Sequence, residues 1–408
     1  MPDSFHCRIC GGEVIEFMDF GEQPVSDCFL SPDSTTPEHF YRLKVGACSA
    51  CTMVQLVHEV PRERMFHDNY PYHSSGSVRM RDHFRDVARC FLATELARDD
   101  SFIVELGCND GVMLKTVAQA GIRHLGVEPS GGVADVTAAQ GIRVRKDFFE
   151  ESTAREIVAA DGQAQVIYAA NTLCHIPYMG SVLRGVEALL APDGVFVFED
   201  PYFGDIVRRT SFDQIYDEHF YYFTARSVQA MACHHGLELV NVERLPVHGG
   251  EVRYTLARNG VRRPSAAVAA LLAEEEEADL TARRTLEQFR TDVLTVREEL
   301  TSLLRDLRSR GKDIVGYGAT AKSATVLNYC GIGPELISYV TDSTSAKQGR
   351  LTPGSHIPVV PPQRFADAYP DYAVLFAWNH SAEIMAKEQP FQDAGGRWIR
   401  YVPEVRVV

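Results

Sequence analysis

The chain has 408 residues, a length that excludes a mini-protein. Hydrophobic residues make up 45% and charged residues 24%, a balance that is typical of soluble globular proteins and excludes global disorder. At roughly 150 residues per domain, this length predicts two or three folded units. The 55 acidic and 41 basic residues give a net charge of −14, which disfavours nucleic acid as a partner. With neither a secretory h-region nor an apolar run long enough to span a bilayer, we expect a cytoplasmic protein with no membrane partner.

Two cysteine pairs stand near the start of the chain. Cys7 and Cys10 are separated by two residues, and so are Cys48 and Cys51. Each pair can direct two thiolates at one ion, and four thiolates complete the closed tetrahedral shell of a structural Zn²⁺. The stretch between the pairs is longer than the roughly 15–20 residues of a common zinc ribbon, so a loop must be inserted there. The alternative is four buried free cysteines.

The other six cysteines lack a paired spacing, and we expect them to be small core residues. They are Cys28, Cys90, Cys108, Cys174, Cys233 and Cys330.

Between residues 80 and 245, short apolar runs alternate with amphipathic stretches. The runs at 102–107, 124–127, 166–169 and 195–199 predict β-strands separated by helices. This alternation is typical of a parallel sheet with crossover helices, so we predict an α/β fold for this part of the chain.

The first of these strands leads into a glycine turn, FIVELGCNDG, in which Gly107 and Gly111 would let a cofactor approach the backbone. Their spacing differs from the dinucleotide fingerprint G-x-G-x-x-G. Glu128 ends the next strand, where a carboxylate can accept hydrogen bonds from ribose hydroxyls. The set resembles the S-adenosylmethionine-dependent class I methyltransferases, and a cofactor-free Rossmann-like domain is the alternative. The predicted cofactor-binding residues are Glu105, Gly107, Asn109, Gly111, Glu128, Asp147 and Asn171.

The segment YDEHFYYF at 216–223 combines an acid, an imidazole and several phenols. Core packing alone does not require Glu218 beside His219. In a helix, the first tyrosine of the segment and His219 would share a face and meet a substrate together. The alternative is an amphipathic aromatic helix with a solvent-facing Asp-Glu-His. His175 and Tyr72 leave the same choice between a site residue and a packing residue.

Two later turns carry side chains suited to a ligand. In HGGEVR at 248–253, a glycine turn leads into a strand that would place Arg253 beside a ligand or an acid, and a purely structural turn is the equal alternative. In GYGATAKS at 316–323, the backbone donors, Thr320 and Lys322 provide the parts of a phosphate site at a helix N-terminus. A plain strand–helix turn has the same pattern.

Residues 264–310 have no internal Pro or Gly and are rich in Ala, Leu, Glu and Arg, which predicts one or two long helices. We expect a packed connecting element, with the EEEE run at 274–277 on a solvated face. The predicted apolar stripe consists of Leu286, Phe289, Val293, Val296, Leu300 and Leu303. Strand-like runs after residue 312 predict a further, smaller α/β unit.

The cysteine pairs, ELGCNDG, YDEHFYYF, HGGEVR and GYGATAKS occur in this order over nearly the whole chain. Together they resemble the sugar C-methyltransferases of deoxysugar biosynthesis. The resemblance implies an α/β protein with a class I methyltransferase Rossmann-like central domain. The implied domains are a zinc-binding domain at 1–70, an S-adenosylmethionine-dependent methyltransferase domain at 71–255, a helical connector at 256–311 and a Rossmann-like domain at 312–408 that contributes to sugar-nucleotide binding.

The resemblance also implies an activity. S-adenosylmethionine would methylate a ring carbon next to the 4-keto group of a thymidine-diphosphate (dTDP)-linked 4-keto-6-deoxysugar, at C3 or alternatively at C5, in deoxysugar and antibiotic biosynthesis. His219 would be the base, and an imidazole with an unperturbed pKa of about 6.5 suits that role near neutrality. A usual member is expected to carry Ser where this chain has Glu251.

The implied catalytic residues are Tyr72, His175, Tyr216, Glu218 and His219. The implied substrate-binding residues are Tyr72, Tyr216, Tyr222, Arg253, Thr320 and Lys322. We expect the enzyme to be a monomer. The other functions open to this sequence are a non-catalytic zinc- and nucleotide-binding scaffold, a sugar O- or N-methyltransferase, and a zinc-containing RNA methyltransferase, which the negative charge disfavours.

Overall fold

The computed structural model describes residues 5–65 and 73–408. These residues form three β-sheets surrounded by helices. The strands are β1 (Phe5–His6), β2 (Glu13–Pro24), β3 (Phe40–Cys48), β4 (Val54–Leu56), β5 (Phe102–Leu106), β6 (Arg123–Val127), β7 (Val144–Arg145), β8 (Ala164–Ala170), β9 (Leu190–Pro201), β10 (Tyr221–Tyr222), β11 (Leu237–Leu245), β12 (Glu251–Arg258), β13 (Ile314–Tyr317), β14 (Val340–Thr341), β15 (Val359–Val360), β16 (Tyr372–Leu375), β17 (Arg397–Arg400) and β18 (Arg406–Val407).

The helices cover both faces of the two larger sheets and connect all three sheets. They are α1 (Arg62–Met65), α2 (Val78–Ala93), α3 (Val112–Gln119), α4 (Gly131–Ala139), α5 (Glu151–Asp161), α6 (Met179–Leu189), α7 (Phe203–Arg209), α8 (Ala225–Cys233), α9 (Ala266–Glu277), α10 (Arg283–Ser309), α11 (Ala321–Tyr329), α12 (Pro362–Asp367), α13 (Ser381–Lys387) and α14 (Gln389–Asp393). No helix in 5–65 or 73–408 combines the length and apolar character needed to cross a membrane.

The first sheet is antiparallel, with the order β1-β2-β3-β4-β10. Four of its strands come from the cysteine-rich N-terminal part of the chain. The fifth, β10, belongs to the YDEHFYYF segment and lies beside β4, with Tyr221 opposite Gln55 and Tyr222 opposite Val54. This first sheet carries the predicted zinc-binding cysteines, and we call it the zinc-bearing sheet. It is completed by residues far along the chain, which the sequence did not predict.

The second sheet has the order β11-β12-β9-β8-β5-β6-β7. All its strands run parallel except β12, which is antiparallel to both neighbours. Counted within this sheet alone, the order is 3-2-1-4-5-7-6 with the seventh strand reversed, the topology of class I methyltransferases. Every residue of β5 is buried because helices cover both faces of the sheet. The predicted fold class is confirmed, and β5, β6, β8 and β9 match the four predicted strands.

The third sheet has the order β15-β14-β13-β16-β17-β18 and is parallel except for its last strand. Its first strand, β13, leads through Gly318 at φ 91° into α11. This is the Rossmann-like arrangement predicted for the C-terminal part. The boundaries between the domains stay a prediction.

Two helices, α9 and α10, form the predicted connecting element. The ring of Phe289 packs against Phe17 of β2 and Phe203 of α7, with centroid distances of 6.3 and 6.5 Å. The helix therefore joins the zinc-bearing sheet to the central part of the molecule. The buried apolar residues of α10 are Leu286, Phe289, Val293, Val296, Leu300, Leu304 and Leu307. Leu303, predicted in the stripe, is only partly buried.

The predicted solvated face of the EEEE run is wrong at one position, since the other three glutamates of 274–277 are exposed. Glu275 is buried, and its carboxylate accepts hydrogen bonds from the backbone N–H groups of Ala225 and Arg226 at 2.6 and 3.0 Å. It satisfies free N–H groups in the first turn of α8. The predicted core position is also wrong for Cys28, Cys90 and Cys233, which are exposed.

We expect Phe289→Ala to lower the free energy of unfolding by about 3–5 kcal/mol, because it leaves a cavity where three aromatic rings meet. Chemical denaturation followed by tryptophan fluorescence measures the loss. Leu294→Ala is the matched control on the same helix, since Leu294 is 36% exposed. Equal losses in both variants would contradict the packing role of α10.

Candidate active site and zinc centre

The four paired cysteines meet beside the first sheet. Their sulfur atoms all lie within 4.8 Å of one another. Backbone N–H groups of Ile9 and Ala50 donate to the sulfurs of Cys7 and Cys48, each at 3.4 Å, as expected for sulfurs that carry thiolate charge. Cys7, Cys48 and Cys51 are buried, so little solvent reaches the cluster. The donor set fits a closed tetrahedral Zn²⁺ site that stabilises the fold and has no open coordination position.

A cavity of about 640 Å³ lies between the second and third sheets and is bounded on one side by the zinc-bearing part. The carboxyl ends of the parallel strands of both sheets open into it, which is where open α/β sheets bind ligands. Of the predicted cofactor-binding residues, it is lined by Gly107, Asn109, Glu128, Asp147 and Asn171. Of the predicted catalytic and substrate-binding residues, it is lined by His175, Tyr216, Glu218, His219, Thr320 and Lys322.

Glu128 directly follows β6 and is fixed at one end of the cavity. Its two carboxylate oxygens accept hydrogen bonds from the backbone N–H groups of Asn109 and Ser130, each at 2.9 Å. Burial raises the pKa of this carboxyl. At Gly107, where φ is 66°, a Cβ would lie 2.3 Å from the Thr172 hydroxyl oxygen, so only glycine keeps this turn open. An acid at a strand end beside an open glycine turn fits the adenosyl part of S-adenosylmethionine.

Two predicted cofactor-binding residues lie outside the cavity lining. Glu105 is buried under the turn, and burial, together with the nearby charges of Asp110 and Glu128, raises its pKa well above the usual range. Gly111 precedes α3 at φ 73°, and a Cβ there would meet the side chain of Ile142 at 2.7 Å. Both residues therefore support the glycine turn without lining the cavity.

The hydrogen bonds of His219 define its tautomer. Nδ1 lies 2.9 Å from the carbonyl oxygen of Gln214, and a carbonyl can only accept, so Nδ1 carries the proton. Nε2 therefore holds the lone pair, and the Tyr216 hydroxyl donates to it at 2.8 Å. The Gln214 carbonyl and the Tyr216 hydroxyl therefore fix the orientation of the ring.

The segment around His219 is a buried turn followed by β10. Asp217, Glu218 and His219 are each at most 3% exposed, so the alternative of a solvent-facing helix is wrong. The backbone N–H of His219 donates to the carbonyl of Tyr216 at 3.1 Å, and this turn brings their side chains together as a helix would have done.

His175 stacks on His219 with a centroid distance of 5.1 Å and an interplanar angle of 28°. Burial lowers the pKa of His175 to about 4. Burial also lowers the pKa of His219 well below 6.5, and the nearby His175 and Lys322 lower it further. Both imidazoles are neutral at pH 7, and the expectation of an unperturbed pKa for His219 is wrong. Tyr72 lies outside the described residues.

The predicted substrate-binding residues divide into two groups. Thr320 caps α11, and Lys322 donates to the carbonyl of His248 at 3.3 Å beside the ring of Trp378; both residues line the cavity. Tyr222 and Arg253 do not line the cavity. Tyr222 is buried in β10. Arg253 is held by two acids instead, with N–O distances of 2.7 Å to Glu199 and 2.6 Å to Glu243.

Asp342 is a cavity residue that the sequence analysis missed. It follows β14, and its carboxylate oxygens accept hydrogen bonds from the backbone N–H groups of Ala319 and Thr344, each at 2.7 Å. This repeats the arrangement of Glu128 in the central sheet. The signal was present in the sequence, since in both parts of the chain an acid follows the first strand after the glycine turn.

Comparison with known proteins agrees with this architecture. Residues 7–66 match a zinc binding domain family, residues 79–242 a methyltransferase domain family and residues 246–403 the family described as C-methyltransferase C-terminal domain. The C-methyltransferase NovU from Streptomyces niveus is 35% identical over 407 residues, which cover 98% of this chain and 96% of that protein. The chain belongs to the C-methyltransferase family. It is an S-adenosylmethionine-dependent enzyme with a zinc-binding domain, and the cluster of its four paired cysteines can hold the ion.

Other relatives match a smaller share of the chain. A ubiquinone biosynthesis O-methyltransferase from Azorhizobium caulinodans is 28% identical over 136 residues, 31% of this C-methyltransferase and 52% of the relative. The solved structure of the PH0226 protein from Pyrococcus horikoshii OT3 is 14% identical and covers 48% of this chain and 98% of its own, with a TM-score of 0.36. A score of this size carries no conclusion, and the fold assignment rests on the strand order described above.

We expect Glu128→Ala to weaken binding of S-adenosylmethionine by about 10- to 100-fold, because hydrogen bonds to a charged group contribute about 1.5–3 kcal/mol. Isothermal titration calorimetry on the full chain measures the affinity. Glu276→Ala, at an exposed position of α9, is the control and should bind as the wild type does. Unchanged affinity in Glu128→Ala would remove this carboxylate from the cofactor site.

Proposed function

We propose that this C-methyltransferase transfers a methyl group to C3 of a dTDP-linked 4-keto-6-deoxysugar through an enolate, with His219 as the base. The observation that carries the proposal is the continuity of the cavity. One space contains the turn and acid at Glu128, the buried imidazole of His219 and the C-terminal turn at Gly318. A base between a methyl-donor site and a second nucleotide-type turn is the arrangement that carbon methylation of a sugar nucleotide requires.

The chemistry follows from the 4-keto group, which acidifies the hydrogens on both flanking carbons. The C3–H bond breaks, the proton goes to Nε2 of His219, and the electron pair delocalises onto the C4 oxygen. That pair then forms the new carbon–carbon bond to the methyl group, whose bond to sulfur breaks. S-adenosylmethionine supplies an electrophilic methyl group at a positively charged sulfur.

The hydrogen bonds at the site support this assignment of the base. Nε2 is the ring nitrogen with a lone pair, since Nδ1 donates to the Gln214 carbonyl. The Tyr216 hydroxyl occupies that lone pair in the structure and must turn away when the substrate hydrogen approaches. We assign the hydrogen bond to the enolate oxygen to neutral His175, which stacks on His219 in the same cavity. Tyr72 keeps its proposed place in the pocket.

The C-terminal side of the cavity supports a nucleotide-linked substrate. The Gly318 turn, Thr320 and Lys322 lie on this side, and Asp342 is fixed there in the way that Glu128 is fixed on the other. The ammonium of Lys322 suits a diphosphate, and the Asp342 carboxylate suits a sugar hydroxyl of the nucleoside. We propose that the dTDP part lies along this side, so that the keto sugar reaches His219, and that the enzyme acts as a monomer.

The test of the reaction is a product NMR spectrum. The enzyme, a dTDP-linked 4-keto-6-deoxysugar and S-adenosylmethionine with a ¹³C-labelled methyl group should give a product whose labelled carbon couples to a ring carbon, at C3. Coupling to C5 would keep the enolate and correct the position. A methyl group on oxygen or nitrogen would overturn the proposed carbon chemistry, and no transfer to any such sugar would overturn the substrate class.

We expect His219→Asn to fold normally and to lose about 10²- to 10⁴-fold in kcat, the usual contribution of a general base. Circular dichroism and binding of S-adenosylmethionine report on folding, and product formation reports on turnover. His234→Asn, at an exposed position, is the matched control and should be fully active. Near-normal turnover in His219→Asn would remove this histidine from the role of base.

The pH dependence follows from the burial of His219. A base acts in its neutral form, so kcat/KM should fall as pH falls through the pKa of the free enzyme's base. Since burial lowers the pKa of His219, this fall should lie below pH 6.5. Initial rates at limiting keto sugar, from acidic to neutral pH, measure it. A fall centred at or above pH 6.5 would argue against a desolvated imidazole as the base.

A further inference from the structure

The residues that follow His219 are fixed by the zinc-bearing sheet. The backbone N–H of Leu56 in β4 donates to the carbonyl of Phe220 at 3.0 Å. One residue further on, Tyr221 pairs with Gln55. The peptide that carries the imidazole is therefore continuous with an edge of the sheet that also carries the cysteine cluster.

Gln55 links that edge to the cysteine cluster. It is 1% exposed, and its side-chain amide donates to the sulfur of Cys7 at 3.0 Å. Its side-chain carbonyl accepts a hydrogen bond from the backbone N–H of Arg8 at 3.1 Å. The buried Gln55 side chain thus hydrogen-bonds to both the Cys7 sulfur and the backbone of Arg8. The backbone of Gln55 pairs with Tyr221 on the neighbouring strand.

Arg8 extends the same link to the catalytic segment. Its guanidinium donates to the carbonyl of Leu56 at 2.5 Å and lies 5.9 Å from the centre of the Phe220 ring. On the other side of His219, the carboxylate of Asp217 accepts a hydrogen bond from the backbone N–H of Ser26 at 3.1 Å. The N-terminal part of the chain therefore contacts the segment both before and after His219.

We propose that Gln55 is a positioning residue that couples the zinc centre to the segment carrying His219. Metal binding fixes the Cys7 sulfur, the sulfur fixes the Gln55 amide, and Gln55 fixes the strand edge against which β10 pairs. Partners that hydrogen-bond to metal ligands typically change metal affinity or activity by about 10- to 100-fold when they are mutated. The metal thus acts on the reaction at a distance, through the backbone position of His219. The effect on turnover rests on the proposed role of His219 as the base.

Zinc release tests the first half of the proposal. In the zinc-loaded full chain, Gln55→Leu should release zinc to the chelating dye 4-(2-pyridylazo)resorcinol about 10- to 100-fold faster than the wild type. Gln55→Glu, which keeps the acceptor for Arg8 but loses the N–H donor, should also release it faster. Gln23→Leu is the matched control, because Gln23 is 2% exposed in the same sheet and donates to the Phe20 carbonyl. Wild-type rates in both Gln55 variants would overturn the link to the metal.

Hydrogen–deuterium exchange tests the second half without needing turnover. Removing zinc, or replacing Gln55 by Leu or Glu, should speed amide exchange in the peptide 216–223. The peptide 131–139, which forms α4 beside the cofactor turn, should exchange as before. If 216–223 is as protected without zinc as with it, the coupling does not exist.

Kinetics then connects the coupling to function. The Gln55 variants should show a lower kcat with an unchanged KM for S-adenosylmethionine, because the cofactor residues lie on the central sheet. Unchanged kcat together with faster zinc release would also overturn the coupling. Failure of the proposed reaction itself is distinguishable, since zinc release and amide exchange give their answers even if no sugar is methylated.

Discussion

The burial of His219 between two parallel sheets and one antiparallel sheet is the constraint on which the site depends. The parallel sheets contribute their carboxyl ends, where turns and acids gather. The antiparallel sheet contributes the edge that holds the imidazole in place through β10. The imidazole is only 3% exposed, and its ring is fixed by a backbone carbonyl that cannot change its own charge. The proposed base is thus held in place by hydrogen bonds of the main chain.

Burial and nearby charges also set the pKa of the carboxyl groups near the cavity. Glu199 accepts from His83 and Arg253 at 2.6 and 2.7 Å, and these partners outweigh its burial and lower its pKa. Its neighbour Asp200 has no such cation, and burial raises its pKa to about 8. Burial, with the charges of Glu199 and Asp200, raises the pKa of Glu251 well above the usual range. The three neighbouring carboxyl groups therefore differ in what sets their pKa: hydrogen-bonded cationic partners lower it at Glu199, and burial raises it at Asp200 and Glu251.

Much of this arrangement was predictable from the sequence because it depends on local pattern. The paired spacing of the cysteines, the strand and glycine turn before Asn109, and the acid at Glu128 follow from residue types at fixed separations. The stripe on α10 was nearly right, and its error at Leu303 reflects the drift of a helix that packs against several elements in turn. Asp342 could have been found by applying to the third sheet the same rule that found Glu128.

The rest depended on contacts between distant parts of the chain. Arg253 looked like a ligand clamp, but the two acids that hold it, Glu199 and Glu243, lie on neighbouring strands whose register no local pattern reveals. The carbonyl of Gln214 carries no sequence signal, since every residue has one. The pairing of β10 with β4 joins two short runs that have no feature in common.

That pairing has a consequence for how the protein can be divided. With β10 removed, β4 would become an open edge strand with unpaired N–H and C=O groups, a surface prone to self-association. The cysteine-rich unit is thus not a self-contained module, although its own core and metal site are built from nearby residues. If this unit were exchanged between relatives, in the laboratory or by recombination, a compatible segment 216–223 would have to be exchanged with it. The cysteine-rich part and the segment that carries His219 would therefore have to be inherited together.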